Sequence, residues 1–140
     1  MAPHEEEQVE VDDEVRLTVP ATPEFVRLAR VTASGLASRM KFSYDEVEDL
    51  RLAIDELCFA LIGSRGREGT VHLRYVIRAD ALDVVGWGMF DDDDVDTHPT
   101  LASFSQQILT ALVDDHAVYR DGDGRPAFHL VKRRKIAVGR

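Results

Sequence analysis

At 140 residues the chain has the length of one domain, long enough to bury a core without disulfide or metal staples, and its 44% hydrophobic content with only five prolines excludes a disordered polymer. A net charge of −9 argues against direct nucleic-acid binding, because phosphates would be repelled, and suits a basic protein partner. The single cysteine, Cys58, excludes an internal disulfide and a cysteine zinc cage; no run reaches the length of a membrane span, and the acidic start MAPHEEEQVEVDDE is the opposite of a signal peptide, so a cytoplasmic protein is expected.

Residues 1–14 are polar and acidic and read as a frayed, flexible arm. EVRLTVP then alternates Val15, Leu17 and Val19 against Arg16 and Thr18, the pattern of a half-buried strand ended by Pro20. The segment ATPEFVRLARVTASGLASRM reads as a helix with Thr22 as cap, Pro23 at its first position and Glu24 in its first turn; Phe25, Leu28, Ala29, Thr32 and Leu36 recur at helical spacing. A second helix opens with Ser43 and Glu46 at capping-box spacing, buries Val47, Leu50, Ile54, Leu57, Cys58 and Leu61, and stops at Gly63.

Two strands, TVHLRYVIRA and ALDVVGWGMF, meet at a junction short enough for a hairpin. DDDDVDTHPT interrupts them with charge, and LASFSQQILTALVDD is a third helix expected to turn Leu101, Phe104, Ile108, Ala111 and Leu112 inward. HAVYRDG and RPAFHLVKRRK close the chain as two strands around DGDG. The expected fold is an α+β two-layer sandwich, a mixed or mostly antiparallel sheet with helices on one face, forming a single domain over 15–135 with a tail at 136–140.

Several pieces of chemistry have a plain alternative. The aspartate run lacks the spaced ligands and turn glycine of a calcium loop and reads as solvated acid. His4, His72, His98, His116 and His129 are scattered without zinc spacing. KRRK, Lys132–Lys135, reads as an edge-strand guard or a local salt-bridge donor. Leu52 and Phe59, seven apart, give the second helix another apolar side, expected to pack under the acidic loop or to fill a collapsed cavity.

Two segments carry a resemblance. DLRLAIDELCFALI resembles the N-box helix of the RsbW-type anti-sigma factors, whose fold belongs to the GHKL (histidine kinase-like ATPase) superfamily, and FSQQILTALVDDHAVYRDG resembles the family's last helix and following strand, closest to the UsfX-type members. VRLTVPATPEFVRLAR fits the opening strand and helix, so the resemblance runs over about residues 14–135. It implies a Bergerat-like sandwich.

The chain departs from the kinase-competent pattern. The resemblance places the general base at Glu56 and a magnesium-holding asparagine at the position of Ala60, which has no oxygen to offer. Gly86 stands where an adenine-binding aspartate is implied, and the glycine-rich lid is replaced by DDDDVDTHPTLASF. Asp55 and Glu56 are splayed by about 100° on adjacent positions and cannot converge as a carboxylate pair. Glu56 therefore reads as a solvated helix face or a relict base. No cofactor is expected, beyond weak binding of ATP with magnesium, and the chain is expected to be a binding module more than an enzyme.

The function the resemblance implies is sequestration of an alternative sigma factor of the sigma-B or sigma-F type by a homodimer, with release by an anti-anti-sigma partner of the STAS fold. Arg16 and Thr18 on the opening strand and Arg27 and Arg30 on the first helix are the contact candidates by the same analogy. The alternative is a serine/threonine kinase that phosphorylates its STAS antagonist with Mg-ATP.

Overall fold

The computed structural model describes residues 13–93 and 99–135. The elements follow in the expected order: β1 (Asp13–Pro20), α1 (Pro23–Arg39), α2 (Tyr44–Ile62), β2 (Gly69–Ile77), β3 (Ala81–Phe90), α3 (Ser103–Leu112), β4 (Asp115–Arg120) and β5 (Pro126–Arg133). The strands form one sheet in the order β1-β2-β3-β5-β4, with every described neighbour pair antiparallel. The sheet is therefore antiparallel throughout its described strands rather than mixed. β1 starts at Asp13, so Asp13 and Glu14 of the acidic segment are strand residues.

Strand alternation decides which face meets the helices. Val19, Val71, Leu73, Tyr75, Leu82, Val84, Phe128 and Leu130 point one way and are buried, while Arg16, Thr18, His72, Arg74 and Trp87 occupy the opposite, open face. The three helices cover the first set, which gives the GHKL-like sandwich.

In α1 the buried stripe is Val26, Ala29, Ala33 and Ala37, while Phe25 and Leu28 face outward. The stripe of alanines lets the helix lie close on β2, where Tyr75 Oη donates to the Ala29 carbonyl at 2.8 Å. Thr22 does stand at the N-cap in extended conformation, but its side chain makes no cap bond and its hydroxyl is buried without a partner among the described residues.

α2 starts as expected. Ser43 N donates to Glu46 Oε1 (2.7 Å) and Glu46 N donates to Ser43 Oγ (3.1 Å), closing a capping box. The second Glu46 oxygen accepts from Lys135 N at 2.7 Å, fastening the helix start to the end of β5. The helix stops at Gly63, whose φ of +73° suits a residue without a Cβ. In α3 only Leu109 is fully buried; Ile108 and Leu112 are half-buried, and Phe104 and Ala111 face outward because the helix starts at Ser103 and docks through its last turn.

β5 lies between β3 and β4, so KRRK guards no edge. Lys132 is buried instead, with Nζ donating to the Leu112 carbonyl (2.6 Å) and paired with Asp49 (3.4 Å), which joins α3 to α2. The local-donor reading of this segment is the one that fits.

Candidate functional site

The outward side of α2 carries the residues singled out by the N-box resemblance. Glu56 and Ala60 are half-buried, one helical turn apart. Asp55 is turned the other way, toward α1, where Arg30 Nη1 donates to its Oδ2 at 2.8 Å. The adjacent acids are thus divided: Asp55 ties two helices and Glu56 does not share its partner. Cys58, on the inner side, is fully buried; burial, aided by the Asp55 charge, pushes its thiol up to about 12, so it is no nucleophile.

Gly86 sits on the core face of β3, directly opposite Phe128 of β5. A Cβ at Gly86 would stand 2.5 Å from Phe128 Cε2, so the aromatic ring occupies the space a longer side chain would need. Gly88, two residues on, is similarly overlain by the Phe90 ring. Arg67 then stacks on Phe90, 4.0 Å from its centroid, and donates to Asp92 at 3.0 Å. Arg120 grips both oxygens of Asp93 at 2.9 and 3.0 Å. Two of the acidic run's aspartates are therefore in ion pairs, Asp92 while still largely exposed to solvent and Asp93 largely out of it; Asp94, Asp96 and His98 lie outside the described residues, as do His4, residues 1–12 and residues 136–140.

Ala60 has no side-chain oxygen, a Cβ at Gly86 would meet the Phe128 ring, and among the described residues no group of three acidic, histidine or cysteine side chains is placed to hold a metal ion. Leu52 and Phe59 are more than half exposed, each at 53%, and fill no cavity; Phe128 and Phe90 do the filling. Finding the Phe128 ring required the β3–β5 register, which no local pattern reveals.

Of the contact candidates, Arg27 and Arg30 come together and Arg16 does not. Arg27, Arg30, Asp55 and Phe59 line a groove of about 280 Å3 between the start of α1 and the end of α2. Arg30 is neutralised by Asp55, whereas Arg27 is exposed and has no ion-pair partner among the described residues. Arg16 and Thr18 lie on the open sheet face, where Arg16 pairs with Glu14. The same face holds a feature that composition gave no sign of: His72 stacks on Trp87, centroids 5.5 Å apart, and Arg125 lies 4.8 Å over the indole. Burial first, and the Arg125 charge second, lower the His72 pKa, and its two ring nitrogens hydrogen-bond with the Thr18 and Thr70 hydroxyls at 3.0 and 2.9 Å.

No protein-family model matches the chain. Curated proteins do. The serine-protein kinase RsbW of Bacillus subtilis (strain 168) is 33% identical over 123 residues, which is 86% of this chain and 72% of that protein. RsbW of Bacillus licheniformis (strain ATCC 14580) is 33% identical over 124 residues, covering 86% of this chain and 73% of the relative. RsbW of Listeria monocytogenes serovar 1/2a reaches 40% over a shorter stretch of 75 residues, 51% of this chain and 48% of its own length. With the strand and helix order, the capping box of α2 and the antiparallel sandwich all in place, this similarity across most of both chains shows that the protein belongs to the RsbW family.

Proposed function

We propose that the chain is an anti-sigma factor that works by binding: it sequesters an alternative sigma factor as a cytoplasmic homodimer and is released by an anti-anti-sigma protein of the STAS fold. The observation that carries the binding reading is the pair of losses at the nucleotide positions. Ala60 stands one turn past Glu56 without an oxygen, and the Phe128 ring closes the Gly86 position. Glu56 is then a general base with no triphosphate to act beside. Partner recognition falls to the groove between α1 and α2, where Phe59 supplies apolar area and Arg27 a charge beside it that is unpaired among the described residues.

A second reading is supported by the relatives' name. They are serine-protein kinases, and Glu56 is retained. On that reading the chain binds Mg-ATP and phosphorylates its antagonist. Calorimetry separates the two. The binding reading expects no Mg-ATP affinity tighter than about 100 µM, roughly −5.5 kcal/mol, and no phosphate transferred to a co-purified STAS protein. Tight Mg-ATP binding, with transfer abolished in Glu56→Ala, establishes the kinase. Affinity capture from the native host tests the partners, and recovery of neither a sigma factor nor a STAS protein overturns the anti-sigma assignment.

A further inference from the structure

We infer that the pocket enclosed by the end of α1, the start of α2 and the end of β5 binds a small soluble anion of the diphosphate class. The site is separate from the nucleotide position: Glu46 in this pocket and Ala60 farther along α2 are about 21 Å apart at a helix's rise. It is also separate from the α1–α2 groove, so it goes beyond the anti-sigma reading and does not depend on it.

The pocket has a volume of about 610 Å3 and draws Lys41, Lys132, Arg134 and Lys135 together with Asp45, Glu46 and Asp49. Two of the acids are already engaged. Glu46 accepts from Ser43 N and Lys135 N, and Asp49 faces the buried Lys132 ammonium, which also donates to the Leu112 carbonyl. Lys41, Arg134 and Lys135 make no ion pair among the described residues, and only Asp45 stands against them. In a chain of net charge −9, this pocket therefore holds cations in excess. An anion with about two charges is the ligand that balances it.

Arg134 gives a second, independent sign. Its Nη1 reaches only the Met40 carbonyl, at 3.5 Å, and its Nε is buried without a hydrogen-bond partner among the described residues. Buried polar groups are nearly always paired, so an orphan guanidinium N–H marks a missing acceptor. The planar fork of arginine matches two oxygens of one phosphoryl group.

Lys41 gives a third. It follows the last turn of α1 with φ of +69°, the only positive φ outside glycine among the described residues. Glycine or asparagine normally takes such a position, because a longer side chain crowds its own backbone there. No hydrogen bond or ion pair among the described residues uses the Lys41 ammonium. The strained lysine contributes nothing to the helix end and leaves a charge at the pocket. Since the free cations come from two sides, Lys41 after α1 and Arg134 with Lys135 after β5, two linked phosphoryl groups reach both where a single phosphate reaches one. Such a ligand ties together segments distant in sequence and raises stability by binding only the folded chain.

The test is calorimetry and thermal melting of the full chain with sodium pyrophosphate, without divalent metal, against orthophosphate and sulfate at matched ionic strength. One pyrophosphate per chain is expected to bind saturably and raise the melting temperature, with orthophosphate about tenfold weaker or more. Arg134→Gln should weaken pyrophosphate about tenfold, and Asp45→Asn should tighten it. Lys41→Gly should weaken binding while raising the melting temperature of the ligand-free chain, which separates a lost contact from a lost fold. No saturable binding up to about 10 mM pyrophosphate overturns the site. Binding unchanged in both Arg134→Gln and Lys41→Gly places the anion elsewhere and overturns it equally, as does sulfate that binds as well as pyrophosphate. A phosphoserine peptide that binds more tightly than pyrophosphate overturns the small-anion ligand in favour of a modified protein. None of these results bears on sigma capture.

Discussion

At Gly86 a single hydrogen atom stands where a family aspartate is implied, and the Phe128 ring has taken the space. Gly86→Asp would bring its Cβ to 2.5 Å from a Phe128 ring carbon and carry a carboxylate into the buried core beside that ring. Overpacking and a buried charge add, so the expected loss is at least about 3 kcal/mol, read as a lowered urea midpoint. A variant within about 0.5 kcal/mol of the parent would show that the ring yields and that the position is open. Ala60→Asn is the milder change, at a half-buried site, and alone it is expected to leave Mg-ATP binding undetectable by calorimetry. The same reasoning from burial applies to Cys58. With its thiol held up to about 12, it should not react with an aromatic disulfide reagent at pH 8 until urea is added, when one thiol per chain appears.

The capping box of α2 is the element whose start was most legible in the sequence, and its stability is testable against pH. Burial pushes the Glu46 carboxyl up, but N–H groups of Ser43 and Lys135, the Ser43 hydroxyl and the Lys132 charge together outweigh it and hold the pKa below 4.5. A group whose folded pKa is depressed stabilises the fold fully above its unfolded value and loses that contribution as pH falls through the folded one. Stability should therefore decline as pH drops below about 4.5, and Glu46→Gln should lower neutral-pH stability and flatten this acid limb. Ser43→Ala should cost about 1 kcal/mol by chemical denaturation at neutral pH. The cap was readable because its two partners are three residues apart. The faces of α1 and α3 were not. Large residues such as Phe25, Leu28 and Phe104 draw the eye to one helical stripe, whereas Ala29, Ala33 and Ala37 are what the sheet admits at close range. The site divides in the same way: Ala60 and Gly86 follow from a local motif, but the Phe128 ring and the Arg30–Asp55 pair depend on strand register and helix packing between distant segments.

Across the whole molecule the charge is strongly negative, yet much of it is spent inside local pairs: Arg30 with Asp55, Arg67 with Asp92, Arg120 with Asp93 and Lys132 with Asp49. The remaining excess acts as a field rather than as contacts. On the proposed function that field draws in a basic sigma segment, and apolar packing on Phe59 in the groove holds it once docked. The two contributions separate in kinetics, since long-range attraction sets the association rate and is screened by salt, while short-range packing sets dissociation. Raising sodium chloride from about 50 to about 500 mM, which shortens the screening length from roughly 14 to 4 Å, should slow association with the captured sigma factor about tenfold or more and change dissociation little. Phe59→Ala should do the reverse, speeding dissociation by roughly one order of magnitude, about 1.4 kcal/mol, with association nearly unchanged. Both are measured by surface-immobilised binding of the sigma factor across a salt series. A salt-independent association rate would remove the electrostatic part of the argument, and a Phe59→Ala complex as long-lived as the parent's would move the contact surface away from the α1–α2 groove.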